Sequence, residues 1–291
     1  WGKEWQSAWF AGDVELPDAC AGKKVFVRAR TGGKEALFIV NGSFHGVFDE
    51  NHPVVLMDMA GQAGRRYHLA FEAYAGHNIA GTAMSEEPTI VQDNCRTYEG
   101  VDIVLENEAV SRFVFDLTIL QQIVQISDEN SLRRNKIIKG FERIFACIVS
   151  LPQETTEDVW MASLQEAQAI LDELMAAKNG STTPMFGVVG HSHIDAAWLW
   201  PVSETHRKCA RTFSSILNLM DQYPSFTFIQ SSPYYTEVME KEYPEIFARM
   251  QKRVAEGRWE PNGGMYIEPD CNIPSGESLV RQLLHGKRYF K

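Results

Sequence analysis

The chain has 291 residues, of which 44% are hydrophobic and 23% are charged, and its formal net charge is −10. This composition is typical of a globular protein long enough for two or three domains. The negative charge argues against nucleic acid and against an anionic membrane as partners, because both attract a basic surface. No apolar run reaches the roughly 18 residues of a membrane-spanning helix. Five scattered cysteines, an odd number, favour reduced thiols and a cytoplasmic location.

Residues 1–105 show the pattern of short β-strands. Apolar and polar side chains alternate over residues 25–30, and Asn41-Gly42 separates two further apolar stretches. An Asn-Gly pair between apolar runs is a strong hairpin signal. Several short strands at this spacing predict an antiparallel β-sandwich as the first domain.

Residues 106–182 change to a helical period and predict a helical connector. Apolar residues recur at three- and four-residue spacing in successive stripes, and the clearest stripe runs from Trp160 to Leu174. Thr155 and Asp158 resemble a capping box at its start, and Asn179-Gly180 is expected to end this helix. We interpret these stripes as packing faces and assign them no chemistry.

Residues 183–291 alternate strands with helices, which predicts βα units around a parallel sheet. Buried strands are expected at residues 185–189 and 226–230, with a third extended stretch from Trp259. Helices are expected at residues 201–223 and 244–256. Parallel sheets carry their functional groups at the carboxyl ends of the strands.

The segment after the first of these strands reads Gly190-His191-Ser192-His193-Ile194-Asp195. Alternate residues of an extended chain face the same side, so His191, His193 and Asp195 are expected to surround one point. An imidazole and a carboxylate two residues apart suit a zinc ion. A buried, hydrogen-bonded histidine is the plainer alternative.

Two further side chains could take part in chemistry near this point. Asp270 follows Gly263-Gly264 and stands directly after Pro269. A carboxylate fixed in this way could ligate a metal, attack a carbon atom or merely cap the next turn. Trp198 offers an aromatic face that could pack against the C–H surface of a sugar, or it could plug the mouth of a barrel.

Taken together, the motifs of this region resemble those of the α-mannosidases of glycoside hydrolase family 38. They are HSHIDAAWLWP at 191–201, GRWEP at 257–261, EPDCN at 268–272 and SGESLVRQ at 275–282. A weaker likeness covers residues 41–52 of the front. The resemblance implies an N-terminal fragment with a β-sandwich (1–105), a helical connector (106–182) and the first βα units of an incomplete (β/α)7-type catalytic barrel (183–291).

The resemblance also implies a set of roles. His193, Asp195 and Asp270 match zinc ligands, Asp270 matches the catalytic nucleophile as well, and Trp198 matches the aromatic residue beneath the sugar. His191 matches a position that is not a ligand.

The implied reaction is zinc-dependent, retaining hydrolysis of terminal α-mannosides through a covalent mannosyl-enzyme. The implied substrate is a mannose-containing oligosaccharide, and the full-length enzyme could form a homo-oligomer. The family's fourth zinc ligand and its general acid are expected beyond Lys291, so we expect negligible activity from this chain alone.

Two other functions compete with this interpretation. A metal-dependent amidohydrolase would use both His191 and His193 as ligands and would have no use for Trp198. A carbohydrate-binding protein would keep its affinity for sugar after metal chelation and after Asp270→Asn.

Overall fold

The computed structural model of this protein describes residues 1–3, 5–76, 96–178, 180 and 182–291, so Cys95 and Asn179 lie outside the described residues. These residues form two compact units. Trp1–Leu105 and Gly187–Lys291 together make the first unit, and Glu106–Phe186 makes the second. The three-domain division at residues 105 and 182 stays a prediction. Among the described residues, no helix combines the length and apolar character that a membrane span requires.

The described front part of the chain is built from antiparallel strands. They are β1 (Ser7–Glu15), β2 (Val25–Arg30), β3 (Glu35–Val40), β4 (Ser43–Asp49), β5 (Val54–Asp58), β6 (Arg66–Tyr74) and β7 (Gly100–Leu105). One sheet has the order β1-β6-β3-β4 and the other has the order β5-β2-β7. Every pairing within these two sheets is antiparallel, as predicted.

Side chains from both antiparallel sheets share one hydrophobic core. Val27 of β2 lies in the same buried cluster as Phe38 of β3 and Phe71 of β6. The rings of Phe38 and Phe71 stack with their centroids 5.3 Å apart. Asn41 and Gly42 both have positive φ, 50° and 85°, as a tight hairpin turn between β3 and β4 requires. The predicted hairpin is confirmed.

The second unit consists of helices packed through the predicted apolar stripes. They are α1 (Glu108–Ile126), α2 (Leu132–Cys147) and α3 (Glu157–Met175), and they enclose one buried cluster. The predicted capping box is wrong, because Thr156 is the N-cap of α3 and its side chain makes no capping hydrogen bond. Thr155 instead closes the preceding 3-10 turn through its N–H. The helix also ends earlier than predicted, at Met175.

The last part of the chain forms βα units. Its elements are β8 (Gly190–His191), α4 (Val202–Gln222), β9 (Phe228–Ser231), α5 (Pro233–Glu242), α6 (Pro244–Ala255), β10 (Trp259–Asn262) and α7 (Gly276–Tyr289). In the described residues the three strands pair in parallel in the order β10-β9-β8. The predicted parallel sheet is confirmed, and its closure into a barrel stays a prediction.

The strands of this sheet are shorter than the sequence suggests. The buried strand predicted at residues 185–189 is wrong, since its side chains are exposed, reaching 96% at Met185. Only Gly190 and His191 pair with β9. The chain before β9 turns at residues 224–225, so residues 185–189 have no strand beside them. The third stretch also stops early, because β10 ends at Asn262 and Gly263 then turns with a φ of 85°.

Helix α4 joins the front sheets to the parallel sheet. Its apolar face is buried at the predicted positions, Ala210, Phe213, Leu217 and Met220. Leu37 of β3 belongs to the same buried cluster, because it faces away from the front core that Phe38 fills. The helix predicted at residues 201–223 is therefore confirmed. It packs against the sheet that contains β3 and against the parallel sheet.

A buried charge cluster lies where α4 meets β3. The Arg211 side chain is only 3% exposed and forms ion pairs with Glu204 on its own helix and with Glu35 of β3. Burial raises the pKa of the Glu204 carboxyl, and this effect outweighs the opposing effect of Arg211. A buried charge is unfavourable without an opposite charge beside it. The ion pair between Arg211 and Glu35 therefore links α4 to the front sheet.

Candidate functional site

The candidate site begins directly after β8, where two polar side chains meet. His193 Nε2 lies 3.1 Å from Asp195 Oδ1, and both side chains are about half exposed. Ile194, between them, is buried and faces the opposite way. The alternation predicted for this segment therefore does bring an imidazole and a carboxylate together at the end of a parallel strand.

A second carboxylate lies on the other side of the same imidazole. His193 Nδ1 is 3.4 Å from Glu268 Oε2. The sequence did not predict Glu268 as a neighbour of His193, because the two residues lie 75 positions apart and no local pattern links them. Carboxylate oxygens thus lie near both ring nitrogens of His193.

Asp270 is exposed, and its Oδ1 accepts a hydrogen bond of 2.7 Å from the N–H of Asn272. It does not cap the following helix, because Ser275 is the N-cap of α7. Within the described residues, no group of three or more His, Cys, Asp or Glu side chains is arranged to hold a metal ion. The structure brings His193 and Asp195 together, and a shared zinc site that includes Asp270 stays a prediction.

The backbone around His193 and Asp195 is held by buried side chains from two helices. The Tyr235 hydroxyl of α5 donates a hydrogen bond to the carbonyl oxygen of Ile194. The Thr205 hydroxyl of α4 lies 2.7 Å from the carbonyl oxygen of Ala196 and donates to it. The sequence did not predict either contact. The Tyr235 contact joins residues 41 positions apart, and the Thr205 contact joins a helix to the loop nine residues before it.

Trp198 presents an open aromatic surface beside this segment. It is 62% exposed, and its ring meets Trp200 edge to face with the centroids 5.5 Å apart. Trp200 is itself fixed, because its Nε1 donates to Thr205 Oγ1 at 3.1 Å. Trp198 therefore packs against the hydrogen-bonded Trp200 ring, and most of its own surface stays accessible, as contact with a sugar would require.

The loop that leads to Asp270, residues 263–270, is held by hydrogen bonds to its backbone. Gln282 of α7 accepts from the N–H of Tyr266 through its carbonyl oxygen and from the N–H of Ile267 through its side chain, at 2.9 and 2.8 Å. The N–H of Tyr234 in α5 donates to the Tyr266 carbonyl oxygen at 2.9 Å. Both α5 and α7 therefore set the course of this loop.

Comparison with known proteins places these features in a family. Residues 185–291 match the family described as "Glycosyl hydrolases family 38 N-terminal domain". This region belongs to glycosyl hydrolase family 38. The match includes His193, Asp195, Trp198 and Asp270, and it confirms the resemblance expected from the motifs.

Relatives named as alpha-mannosidases match up to 99% of this chain. Alpha-mannosidase 2C1 of Homo sapiens is 26% identical over 99% of this chain and 27% of its own length. Alpha-mannosidase G of Dictyostelium discoideum is 32% identical over 68% of this chain and 18% of its own. Alpha-mannosidase of Saccharomyces cerevisiae is 40% identical over 37% of this chain and 10% of its own. The chain thus spans about a quarter or less of the length of these relatives.

A solved structure, Lactobacillus rhamnosus Beta-glucuronidase, is similar to 25% of this chain and 12% of that chain, with 17% identity and a TM-score of 0.21. A likeness this weak supports no conclusion about the fold or the site.

Proposed function

We propose that this family 38 region supplies the metal-binding and nucleophilic part of a retaining α-mannosidase. One observation carries the proposal. The family match covers the residues that follow the parallel strands, with His193 and Asp195 adjacent after β8 and Asp270 in the loop after β10. Functional groups of parallel sheets lie at this edge. The relatives named as alpha-mannosidases indicate terminal α-mannosides as the substrate class.

The donor set fits zinc. Imidazole nitrogen and carboxylate oxygen are donors that zinc accepts, and His193 Nε2 and Asp195 Oδ1 lie close enough together, 3.1 Å apart in a direct hydrogen bond, to turn toward one ion. Asp270 is proposed as the third ligand. When bound, the metal would act as a Lewis acid toward the cis 2- and 3-hydroxyls of mannose and thereby favour mannose over glucose.

Asp270 is the proposed nucleophile. Its Oδ1 is oriented by the Asn272 N–H, so the carboxylate is held without being buried. The carboxylate attacks the anomeric carbon as the bond from that carbon to the leaving oxygen breaks, and a general acid gives its proton to that oxygen. Water then attacks the same carbon and returns a proton to the same group, now a base, while the ester to Asp270 breaks, and two inversions give net retention. We assign no residue of this chain as the proton donor.

Trp198 is the proposed platform for the sugar ring. Its exposed surface would pack against the C–H side of the mannose while polar groups engage the hydroxyls.

Metal binding tests the first part of the proposal. We expect about one zinc per chain by elemental analysis. Substitution of a residue that supports a metal ligand lowers metal affinity roughly 10–100-fold, so His193→Ala, which removes a proposed ligand itself, should lower zinc affinity by more than this. His191→Ala is the matched control, two positions earlier in the same segment, and it should bind zinc normally. Equal loss in both variants would favour the amidohydrolase arrangement, and no zinc in the wild-type protein would remove the metal from the proposal.

Covalent trapping tests the nucleophile in the natural full-length polypeptide. A 5-fluoro mannosyl fluoride keeps the 2- and 3-hydroxyls and should label the peptide that contains Asp270, as seen by mass spectrometry. Asp270→Asn should abolish labelling and lower turnover of an aryl α-mannoside by at least about 10⁴-fold. Labelling at Glu268 or Glu277 would refute the assignment. Sugar binding that survives chelation, without any turnover, would support the carbohydrate-binding alternative.

A further inference from the structure

We propose that the first turn of α5 positions the two loops of the candidate site relative to each other. The two loops lie far apart in sequence, at residues 191–200 and 263–272. Yet each is hydrogen-bonded to one of two neighbouring residues of α5, Tyr234 and Tyr235. This inference rests on the proposed function, because it assigns a positioning role around the proposed ligands and nucleophile.

Tyr235 binds the first loop between the two proposed zinc ligands. Its hydroxyl donates to the carbonyl oxygen of Ile194, the residue between His193 and Asp195. Because this carbonyl belongs to the peptide unit that joins Ile194 to Asp195, its direction helps to set where both side chains point. Tyr235 is 2% exposed, and burial raises the pKa of its phenol, so the hydroxyl remains a donor. Loss of this donor would leave a buried carbonyl with a weakened set of hydrogen bonds.

Tyr234 holds the second loop through its backbone. The first N–H groups of a helix have no acceptor within the helix, and the Tyr234 N–H uses this freedom to bind the Tyr266 carbonyl oxygen. The Tyr266 hydroxyl donates in turn to Glu237, one turn further along α5. The loop that leads to Asp270 is thus attached to α5 at two points.

The turn that leads into α5 is itself unusual. Ser232 is 5% exposed and has a φ of 71°, a backbone conformation that is unfavourable for a residue with a side chain. The helix that follows is packed into the core, because Val238 and Met239 lie in the same buried cluster as Phe228 of β9. The strained turn connects the end of β9 to the residues that bind both loops. We therefore assign Tyr235 and Tyr266 as positioning residues.

Tyr235→Phe tests this assignment with almost no change in volume. Residues that support metal ligands typically contribute about 10–100-fold to metal affinity, and we expect a loss of zinc affinity in this range by competition with a chromophoric chelator. Tyr289→Phe is the matched control. It removes a hydroxyl of α7 that donates to Glu240 of α5 at 2.7 Å and not to the backbone of either loop, and it should leave zinc affinity unchanged.

Amide hydrogen exchange gives a readout that does not depend on metal. Tyr235→Phe should speed exchange in residues 190–196 by about tenfold, and Tyr266→Phe should do the same in residues 264–268, while Tyr289→Phe should do neither. Faster exchange without zinc binding in the wild type would keep the positioning role and refute the proposed metal site. Unchanged amide exchange in Tyr235→Phe would overturn the inference. If the wild type binds zinc, the same zinc affinity in Tyr235→Phe would also overturn it.

Discussion

The front sheets and the loops of the candidate site are stabilised by different interactions. In the front sheets, apolar side chains meet across strands in register, as Phe38 and Phe71 do in the pairing of β3 with β6. In the loops, hydrogen bonds from residues far along the chain hold the backbone, as Tyr235 holds Ile194 and Gln282 holds Ile267. Core mutations should therefore change stability, and mutations around the loops should change the geometry of the site. The following predictions test that contrast.

The largest effect on stability is expected in the front core. Phe38 is fully buried and touches aromatic rings from two other strands. Phe38→Ala should lower the free energy of unfolding by about 3–5 kcal/mol, because it removes buried area and leaves a cavity. Urea denaturation followed by circular dichroism measures this loss.

Met59→Ala is the control for this prediction, since Met59 lies in the same front segment but is 44% exposed. It should change the free energy of unfolding by no more than about 0.5 kcal/mol. Equal effects of the two substitutions would mean that burial does not determine stability here.

A smaller effect is expected where α7 approaches the loop before Asp270. A methyl group at Gly286 would lie 2.3 Å from the carbonyl oxygen of Gly264 and 2.8 Å from the N–H nitrogen of Tyr266. Gly286→Ala should therefore displace the loop and cost about 1–3 kcal/mol, although alanine favours helix formation. Thermal unfolding and amide exchange in residues 264–267 measure both consequences.

Gly276→Ala provides the comparison on the same helix. No atom lies within 4 Å of the methyl group that it would introduce, so it should be neutral or slightly stabilising. If Gly286→Ala behaved in the same way, the close approach of α7 to the loop would not constrain the site.

The smallest effect concerns an exposed ion pair between the strands β2 and β7. Hydrogen bonds from Arg30 and Arg28 lower the pKa of Asp102 from 3.8 to about 2. Because the folded-state pKa lies below the unfolded value, Asp102 stabilises the fold above about pH 4 and loses this contribution as the pH falls through 2.

Asp102→Asn should accordingly be slightly less stable than the wild type at neutral pH and should approach it below pH 2. Unfolding curves at low salt across this range measure the difference, and 1 M NaCl should reduce it by screening. A difference that stays constant from pH 2 to pH 7 would contradict the assigned pKa.

The parts of the fold that depend on local periodicity could be predicted from the sequence. The Asn41-Gly42 hairpin and the apolar face of α4 follow from patterns within single segments, and the parallel pairing of β8 with β9 follows from the alternation of strands and helices. The pairing of His193 with Asp195 also follows from local alternation. These features need no knowledge of the tertiary structure.

The remaining features depend on contacts between distant segments. Residues 185–189 have the composition of a buried strand, but pairing depends on where β9 begins, and this is set elsewhere in the chain. The contact of Glu268 with His193 spans 75 residues, and that of Tyr235 with Ile194 spans 41. No spacing rule within one segment encodes either contact.

The charge cluster around Arg211 bears on any attempt to shorten this protein. Deleting the antiparallel sheets to isolate residues 185–291 would remove Glu35 and leave the Arg211 guanidinium with Glu204 as a counter-ion. The same cut would strip Leu37 from the apolar side of α4. Because the cut removes one of the two carboxylates that pair with Arg211 and uncovers the apolar side of α4, truncation libraries should retain the front sheets.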